Sequence, residues 1–174
     1  MHAVRRELLL RQARAADLPL IEVPLPFPCS NSDYEVRMAQ AVRRAVAQGF
    51  THVAFGDLFL EDVRQYRETR LAGSGLEPVF PLWRRPTAAL SRLIVAEGLR
   101  AKLTCVDPRH LDRAFAGVDY DAALLDRLPN GVDPCGERGE FHTFAYDGPM
   151  FGTAIDVTVG EIVERDGFVF ADLE

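Results

Sequence analysis

Apolar residues recur in two alternating patterns along the chain up to Asp107. Short apolar runs of about four to eight residues, typical of strands, alternate with longer segments whose apolar positions follow the helical repeat. The predicted helices are 4–15, 34–48, 61–72 and 87–97, and the predicted strands are 20–23, 51–55, 77–80 and 99–106. Because strands and helices alternate, this pattern favours a parallel sheet covered by helices.

The pattern changes after residue 107. A predicted helix at 119–128 precedes a glycine-rich run, and strands are then predicted at 140–146, 153–165 and 168–171. Arg165-Asp166-Gly167 is typical of a hairpin turn between the last two strands. We therefore predict an α/β fold in two domains, a parallel-sheet domain over 1–107 and a smaller α+β domain over 108–174.

Composition narrows the class of protein. The chain has 174 residues, of which 48% are hydrophobic, and its net charge is −6. An acidic protein has little nonspecific affinity for nucleic acid. No apolar run is long enough for a membrane span, and no signal peptide is evident. Three widely spaced cysteines predict free thiols in a reducing cytoplasm.

The glycine-rich run from Gly131 to Phe151 concentrates the candidate chemistry. It reads GVDPCGERGEFHTFAYDGPMF and combines acids, a histidine and a threonine with glycines that allow close backbone approach to a ligand. The simpler interpretation is a solvated hairpin with a charged turn. A metal site from Glu137, Glu140 and His142 is not favoured, because neighbouring strand positions face opposite ways. A Cys135–His142 nucleophile has only proximity in sequence to support it.

A second group of candidates follows the predicted strand 51–55. Ligands of open parallel sheets bind beyond the carboxyl ends of the strands, where Gly56 and Asp57 lie. Asp57 is alternatively an acid that caps the following helix. Arg64 and Glu68 stand four residues apart on that helix, and the alternative there is a surface ion pair.

Two motifs resemble the diphthine–ammonia ligase family of ATP pyrophosphatases. One is GERGEFHTF followed by DGPMF, where that family usually has CGEGGEYET followed by DGP or DCP. The other is GDLFLEDVRQYRETRLAGSGLEPVFPLW, which begins at Gly56. The matching positions are Cys135, Gly136, Glu137, Gly139, Glu140, Thr143, Asp147 and Pro149 in the first motif, and Gly56, Asp57, Arg64, Glu68, Gly75, Leu76, Pro81, Leu82 and Trp83 in the second.

The resemblance implies a fold, a reaction and a set of site residues. The fold would be a HUP or Rossmann-like ATP-pyrophosphatase domain followed by a substrate domain. ATP, with Mg²⁺, would adenylate a carboxylate, and ammonia would displace AMP to form an amide. The carboxylate would belong to a protein-borne diphthine or to a small acid. The resemblance implies catalytic roles for Glu137, Glu140 and Thr143, and substrate or nucleotide binding by Gly56, Asp57, Arg64, Glu68, Gly136, Gly139 and Asp147.

One family motif is absent from the 174 residues. The family begins with a strand and a phosphate loop, SGGKDS, whereas this sequence starts at MHAVRRELLLRQA, which is similar to the family's second helix. An N-terminally truncated domain is therefore expected to bind ATP weakly and to dimerise or aggregate through its open flank. The alternative function is a binding module without catalysis.

The two acids of the glycine-rich run are expected to share a cleft with Asp57, where the carboxyl ends of parallel strands bind ligands. On that interpretation, Glu140→Gln would lower amide formation strongly and leave thermal stability nearly unchanged.

Overall fold

A computed structural model describes residues 4–174 of the chain. His2 and Ala3, which the resemblance aligns with the family's second helix, lie outside the described residues. The α-helices of this part of the chain are α1 (Arg6–Ala15), α2 (Asn31–Ala47), α3 (Glu61–Leu71), α4 (Thr87–Ala96) and α5 (Ala122–Arg127). The strands are β1 (His52–Ala54), β2 (Glu77–Val79), β3 (Arg100–Val106), β4 (Phe141–Asp147), β5 (Val159–Arg165) and β6 (Phe168–Leu173). A short 3₁₀ helix spans Arg113–Phe115.

The chain forms two compact units. One comprises Ile21–Arg85, and the other joins the described residues up to Leu20 with Pro86–Glu174. These limits differ from the division near residue 107 that the sequence predicts. The roles assigned to those two predicted domains stay a prediction.

The Ile21–Arg85 unit contains the parallel pairing expected from the βα alternation. Its two strands, β1 and β2, pair in parallel with His52 opposite Glu77. The predicted strand at 20–23 does not form, and this segment has no regular structure. Helix α2 begins earlier than predicted, because Ser30 caps it: its Oγ accepts from the Asp33 backbone N–H at 3.0 Å. Ser32 and Asp33 lie inside the helix.

The other unit is built on a four-stranded antiparallel sheet in the order β4-β3-β6-β5. The prediction that β3 is the fourth parallel strand is wrong, since β3 pairs antiparallel with both β4 and β6. Residues 101 and 103–106 of β3 are all buried. A strand buried on both faces carries the same apolar run in either kind of sheet, so its pattern does not reveal its direction.

The hairpin predicted between β5 and β6 is confirmed. Arg165 pairs with Phe168, and the two residues between them, Asp166 and Gly167, have φ of 54° and 79°. Positive φ at both central residues belongs to the tight turn that matches the twist of the flanking strands.

Buried clusters cover the sheet around β3, β4 and β6, whereas every residue of β5 is exposed. Leu103, Val106, Leu124, Phe141 and Val169 belong to a buried cluster on one face, against which Ile94 and Val95 of α4 also pack. Leu8 of α1 joins a second cluster with Phe144, Ile155 and Leu173. The sheet therefore supports the glycine-rich run, which begins between α5 and β4 and continues through β4. No helix within residues 4–174 has the length and apolar character needed to cross a bilayer.

Candidate functional site

Two buried carboxylates hold the loop that precedes β4. Glu140 is 2% exposed, and its Oε1 accepts from the Asp133 backbone N–H at 2.9 Å while Oε2 accepts from the Arg138 N–H at 3.0 Å. Asp133 is also buried, and its Oδ2 accepts from the Glu137 N–H at 2.9 Å. Ionised acceptors make stronger hydrogen bonds than neutral ones, so these contacts fix the backbone of 133–140. Glu140 therefore sits inside the loop, with Glu137 half-buried on it.

Glycine is required where this loop turns back on β4. Gly136 has φ of 67°, and a Cβ there would lie 2.8 Å from the carbonyl oxygen of Phe141. Gly139 has φ of 85° but meets nothing within 4 Å. Only Gly136 thus combines the left-handed backbone with a close approach to its neighbour.

The thiol at the base of the loop is a poor nucleophile. Burial, followed by the charges of Asp133 and Glu137, raises the pKa of Cys135 to about 11. Its Sγ donates to the carbonyl of Thr87 at 3.5 Å. Since the thiolate is the reactive form, a thiol that stays protonated at neutral pH disfavours the Cys135–His142 hypothesis.

Strand β4 places the remaining residues of the first motif. Thr143 is exposed, opposite Leu103 of β3. Asp147 ends the strand, and its Oδ1 accepts from the Gly148 N–H at 2.8 Å. Across the described range, no group of three or more His, Cys, Asp or Glu side chains has an arrangement suited to a metal ion.

Asp57 of the Ile21–Arg85 unit is engaged by an arginine. Its carboxylate accepts from Arg67 Nε at 2.7 Å and from Nη2 at 3.1 Å, and the Asp57 side chain is 10% exposed. The same guanidinium lies 4.3 Å from the centroid of the Phe55 ring. Asp57 thus ties the loop after β1 to α3, and it is not the N-cap of that helix, which is Leu60.

Arg64 lies one turn before Arg67 on α3. Its Nε donates to Glu68 Oε1 at 2.8 Å, which is the i, i+4 pair that the sequence spacing suggests. Its Cζ also lies 4.7 Å from the Phe80 centroid and 4.8 Å from that of Trp83. This arginine is held against two aromatic rings after β2 and is more than a solvated ion pair.

The predicted site residues fall into two groups, one in each unit. Gly136, Glu137, Gly139, Glu140, Thr143 and Asp147 lie on the loop before β4 and on β4 itself; Gly56, Asp57, Arg64 and Glu68 lie on α3 and the loop before it. Whether the two groups act on one ligand stays a prediction. A Cβ at Gly56 would meet nothing within 4 Å, so space is open beside that backbone.

Sequence reasoning missed two residues that organise these groups, Asp133 and Arg67. Asp133 lies seven residues before Glu140, and Arg67 lies ten after Asp57. Neither spacing is a recognised pattern, because each pair meets through a loop whose path only the fold defines. The cue available was weaker: an acid within the glycine-rich run and a second arginine on the helix face of Arg64.

The site loop lies in the part of the chain that matches a known domain. The diphthamide synthase C-terminal domain matches residues 87–171. The diphthine–ammonia ligase of Danio rerio is 34% identical over 120 residues, which are 64% of this chain and 46% of the relative. That of Mus musculus is 34% identical over 103 residues, 55% of this chain and 38% of the relative. That of Schizosaccharomyces pombe is 32% identical over 109 residues, 58% of this chain and 18% of the relative.

Coverage of these relatives is partial. The alignments span less than half of each curated relative's length. They agree with the matched domain and with the two motifs found in the sequence. Residues 87–171 therefore match the diphthamide synthase C-terminal domain, and the chain is similar to diphthine–ammonia ligases.

Proposed function

We propose that this chain serves ATP-dependent amide formation of the diphthine–ammonia ligase type. The observation that carries the proposal is the 133–140 loop, in which two buried carboxylates hold a third acid, Glu137, within the matched domain. Relatives named diphthine–ammonia ligase support the class of reaction. In that reaction a carboxylate reacts with ATP to give an acyl adenylate and pyrophosphate, and ammonia then displaces AMP to give the amide.

The chain's own residues would act on the ammonia side. The Glu137 carboxylate would hold ammonium and accept a proton as nitrogen attacks the acyl group. Thr143, exposed on β4, would orient the same ligand by a hydrogen bond. Glu140 contributes by keeping the loop in shape, because both of its oxygens already accept backbone N–H groups.

ATP and Mg²⁺ are the cofactors of the proposed reaction, and the described residues do not form a recognisable place for either. The 174 residues contain no SGGKDS loop, and residues 4–174 hold no metal-ligating cluster. We therefore assign no ATP-contacting residue. We propose that Ile21–Arg85 corresponds to part of a HUP-like nucleotide domain, supported by its parallel β1–β2 pair.

A binding module without catalysis is the second candidate. Such a module would keep the acid-bearing loop and bind the substrate without converting it. We further propose a cytoplasmic location, supported by three free thiols, Cys29, Cys105 and Cys135. Self-association as a homodimer is also proposed.

Two measurements test these functions. Calorimetry of the 174-residue chain with Mg-ATP is expected to show weak binding or none, because these 174 residues contain no SGGKDS loop whose backbone N–H groups would hold phosphate. Micromolar affinity would contradict this expectation. The chain is then incubated with millimolar Mg-ATP, ¹⁵N-ammonium and an elongation factor that carries diphthine, and the amide is detected by mass spectrometry.

Variants separate the outcomes of that assay. Amide formation that Glu137→Gln abolishes and Glu161→Gln preserves supports the ligase, since Glu161 is exposed on β5. Binding of the elongation factor without amide, AMP or pyrophosphate supports the binding module. If the chain neither binds the elongation factor nor forms the amide, both candidates are ruled out for this chain.

A further inference from the structure

Arg64 and Arg67 occupy the same face of α3 but are used differently. Arg67 presents Nε and Nη2 to both oxygens of Asp57, so its side edge is fully paired. Arg64 makes its hydrogen bond through Nε alone, to Glu68. Its terminal edge, formed by Nη1 and Nη2, has no acceptor among residues 4–174. A terminal edge of this kind can donate two parallel hydrogen bonds to a planar carboxylate, as the side edge of Arg67 does to Asp57.

The surroundings of Arg64 hold its guanidinium ready for a ligand. Phe80 and Trp83 meet edge to face, with centroids 6.0 Å apart at 62°, and Arg64 contacts both rings. Glu68 restrains it from the Nε side. The Arg64 side chain is 33% exposed, so a ligand can reach it. A guanidinium restrained in this way loses less rotamer freedom on binding and competes with less water.

Local charge selects the class of ligand. The Arg67–Asp57 pair and the Arg64–Glu68 pair are each neutral overall. A phosphate group, with a charge of about −2 at neutral pH, would need further cations or backbone donors. A carboxylate brings a single charge and two coplanar oxygens, which match one guanidinium edge.

We propose that Arg64 binds the carboxylate of an organic acid, with Phe80 and Trp83 as the walls of its site. This site lies wholly within the Ile21–Arg85 unit and goes beyond the proposed function. Helix α3, which carries Arg64, follows β1, and Phe80 and Trp83 follow β2. The site therefore lies at the edge of the parallel sheet where ligands bind. The ligand class is a monocarboxylic acid.

The test is a binding titration that needs no ATP. Propionate is added to the ¹⁵N-labelled chain, and the Arg64 Nε–H signal and the indole N–H of Trp83, the only tryptophan, are followed by NMR. We expect saturable shifts of both signals. Arg64→Lys should weaken propionate binding about tenfold, because an ammonium cannot make the paired hydrogen bonds. Glu68→Gln should strengthen binding, since it removes a competing charge.

Arg84→Lys is the matched control, because Arg84 is an exposed arginine of the same unit paired with Glu61. It should leave propionate binding unchanged. Equal binding in Arg64→Lys and the wild-type chain overturns the proposal, and so does a Trp83 response to inorganic phosphate but not to propionate. If Arg64→Lys does not fold, Glu68→Gln decides the question. Stronger propionate binding by Glu68→Gln supports the proposal, and unchanged or weaker binding overturns it. If the chain binds propionate but forms no amide in the assay with Mg-ATP, ammonium and the elongation factor, the ligase activity is refuted and this site still stands.

Discussion

Glu140 is a residue whose environment changes the expectation formed from its motif. As a solvent-facing catalytic acid it would be replaceable by glutamine at little cost to stability. In the structure it is 2% exposed and accepts two backbone N–H groups. Its first effect is therefore on the loop that carries Glu137.

We predict that Glu140→Gln destabilises the protein by about 2 kcal/mol, because the amide group turns one acceptor into a donor facing a buried N–H. The free energy of unfolding in urea measures this change. Glu161→Gln, at an exposed position of β5, is the control and should have little effect. Equal stability of Glu140→Gln and the wild type would show that the loop does not depend on this carboxylate.

The contact between Arg109 and the buried Asp107 carboxyl predicts that the stability of the fold depends on pH. The hydrogen bonds from Arg109, including Nε to Oδ1 at 2.9 Å, lower the pKa of this buried carboxyl below its ordinary value of 3.8. A lowered pKa in the folded state stabilises the fold above the unfolded-state pKa, and this contribution is lost as pH falls through the folded-state value. His110 Nε2, at 4.0 Å, faces the same carboxylate.

Asp107→Asn should therefore lose less stability than the wild type when pH falls from about 5 to about 2.5. Urea midpoints at the two pH values measure the difference. Asp166→Asn, in the exposed turn between β5 and β6, should follow the wild type. A pH dependence of Asp107→Asn that matches the wild type would contradict the assigned role of the Arg109 contact.

At the scale of elements, the loop before β4 depends on the backbone conformation of two glycines. Gly136 and Gly139 both have positive φ, but only Gly136 lies against a neighbour. Gly139→Ala should cost about 1 kcal/mol for the left-handed backbone. Gly136→Ala should cost about 2–4 kcal/mol, because its Cβ also meets the Phe141 carbonyl.

Urea denaturation of both alanine variants tests this order. The comparison is internally controlled, since the two substitutions add the same methyl group three residues apart. A loss at Gly139 equal to or greater than the loss at Gly136 would mean that the close approach to β4 is not a constraint on the loop.

At the scale of the whole molecule, the Ile21–Arg85 unit exposes a large amount of apolar surface. Helix α2 has no buried residue, and Tyr34, Val36, Met38 and Val46 are all at least 36% exposed. The same helix lines a cavity of about 500 Å³ together with Phe55 and Tyr66. Exposed apolar surface of this kind favours association between molecules.

We predict that the apparent mass in light scattering rises with protein concentration. Val36→Glu, at 54% exposure on α2, should reduce this rise, because a charge opposes burial of that face. Ile162→Glu, at 40% exposure on β5, is the control. A clean monomer over a wide concentration range would contradict the prediction, and an equal effect of both variants would place the association elsewhere.

The sequence by itself determined several of the local elements and the resemblance to the family. Helical and strand periodicity predicted α3, α4 and the β5–β6 hairpin closely, because hydrophobic spacing and turn residues act over a few neighbouring positions. The motif GERGEFHTF placed the candidate site in a loop before β4. These features depend on short-range geometry that each segment carries within itself.

Only the tertiary structure decided the partners of those elements. The direction in which β3 pairs, the burial of Glu140 and the engagement of Asp57 by Arg67 all join residues whose meeting depends on the path of the chain between them. An apolar run has the same sequence pattern in a parallel and in an antiparallel sheet. Likewise, the sequence does not distinguish an acid that faces a ligand from one that accepts a backbone N–H. Hydrogen-bond partners are set by the folded path, and that path is a property of the whole chain.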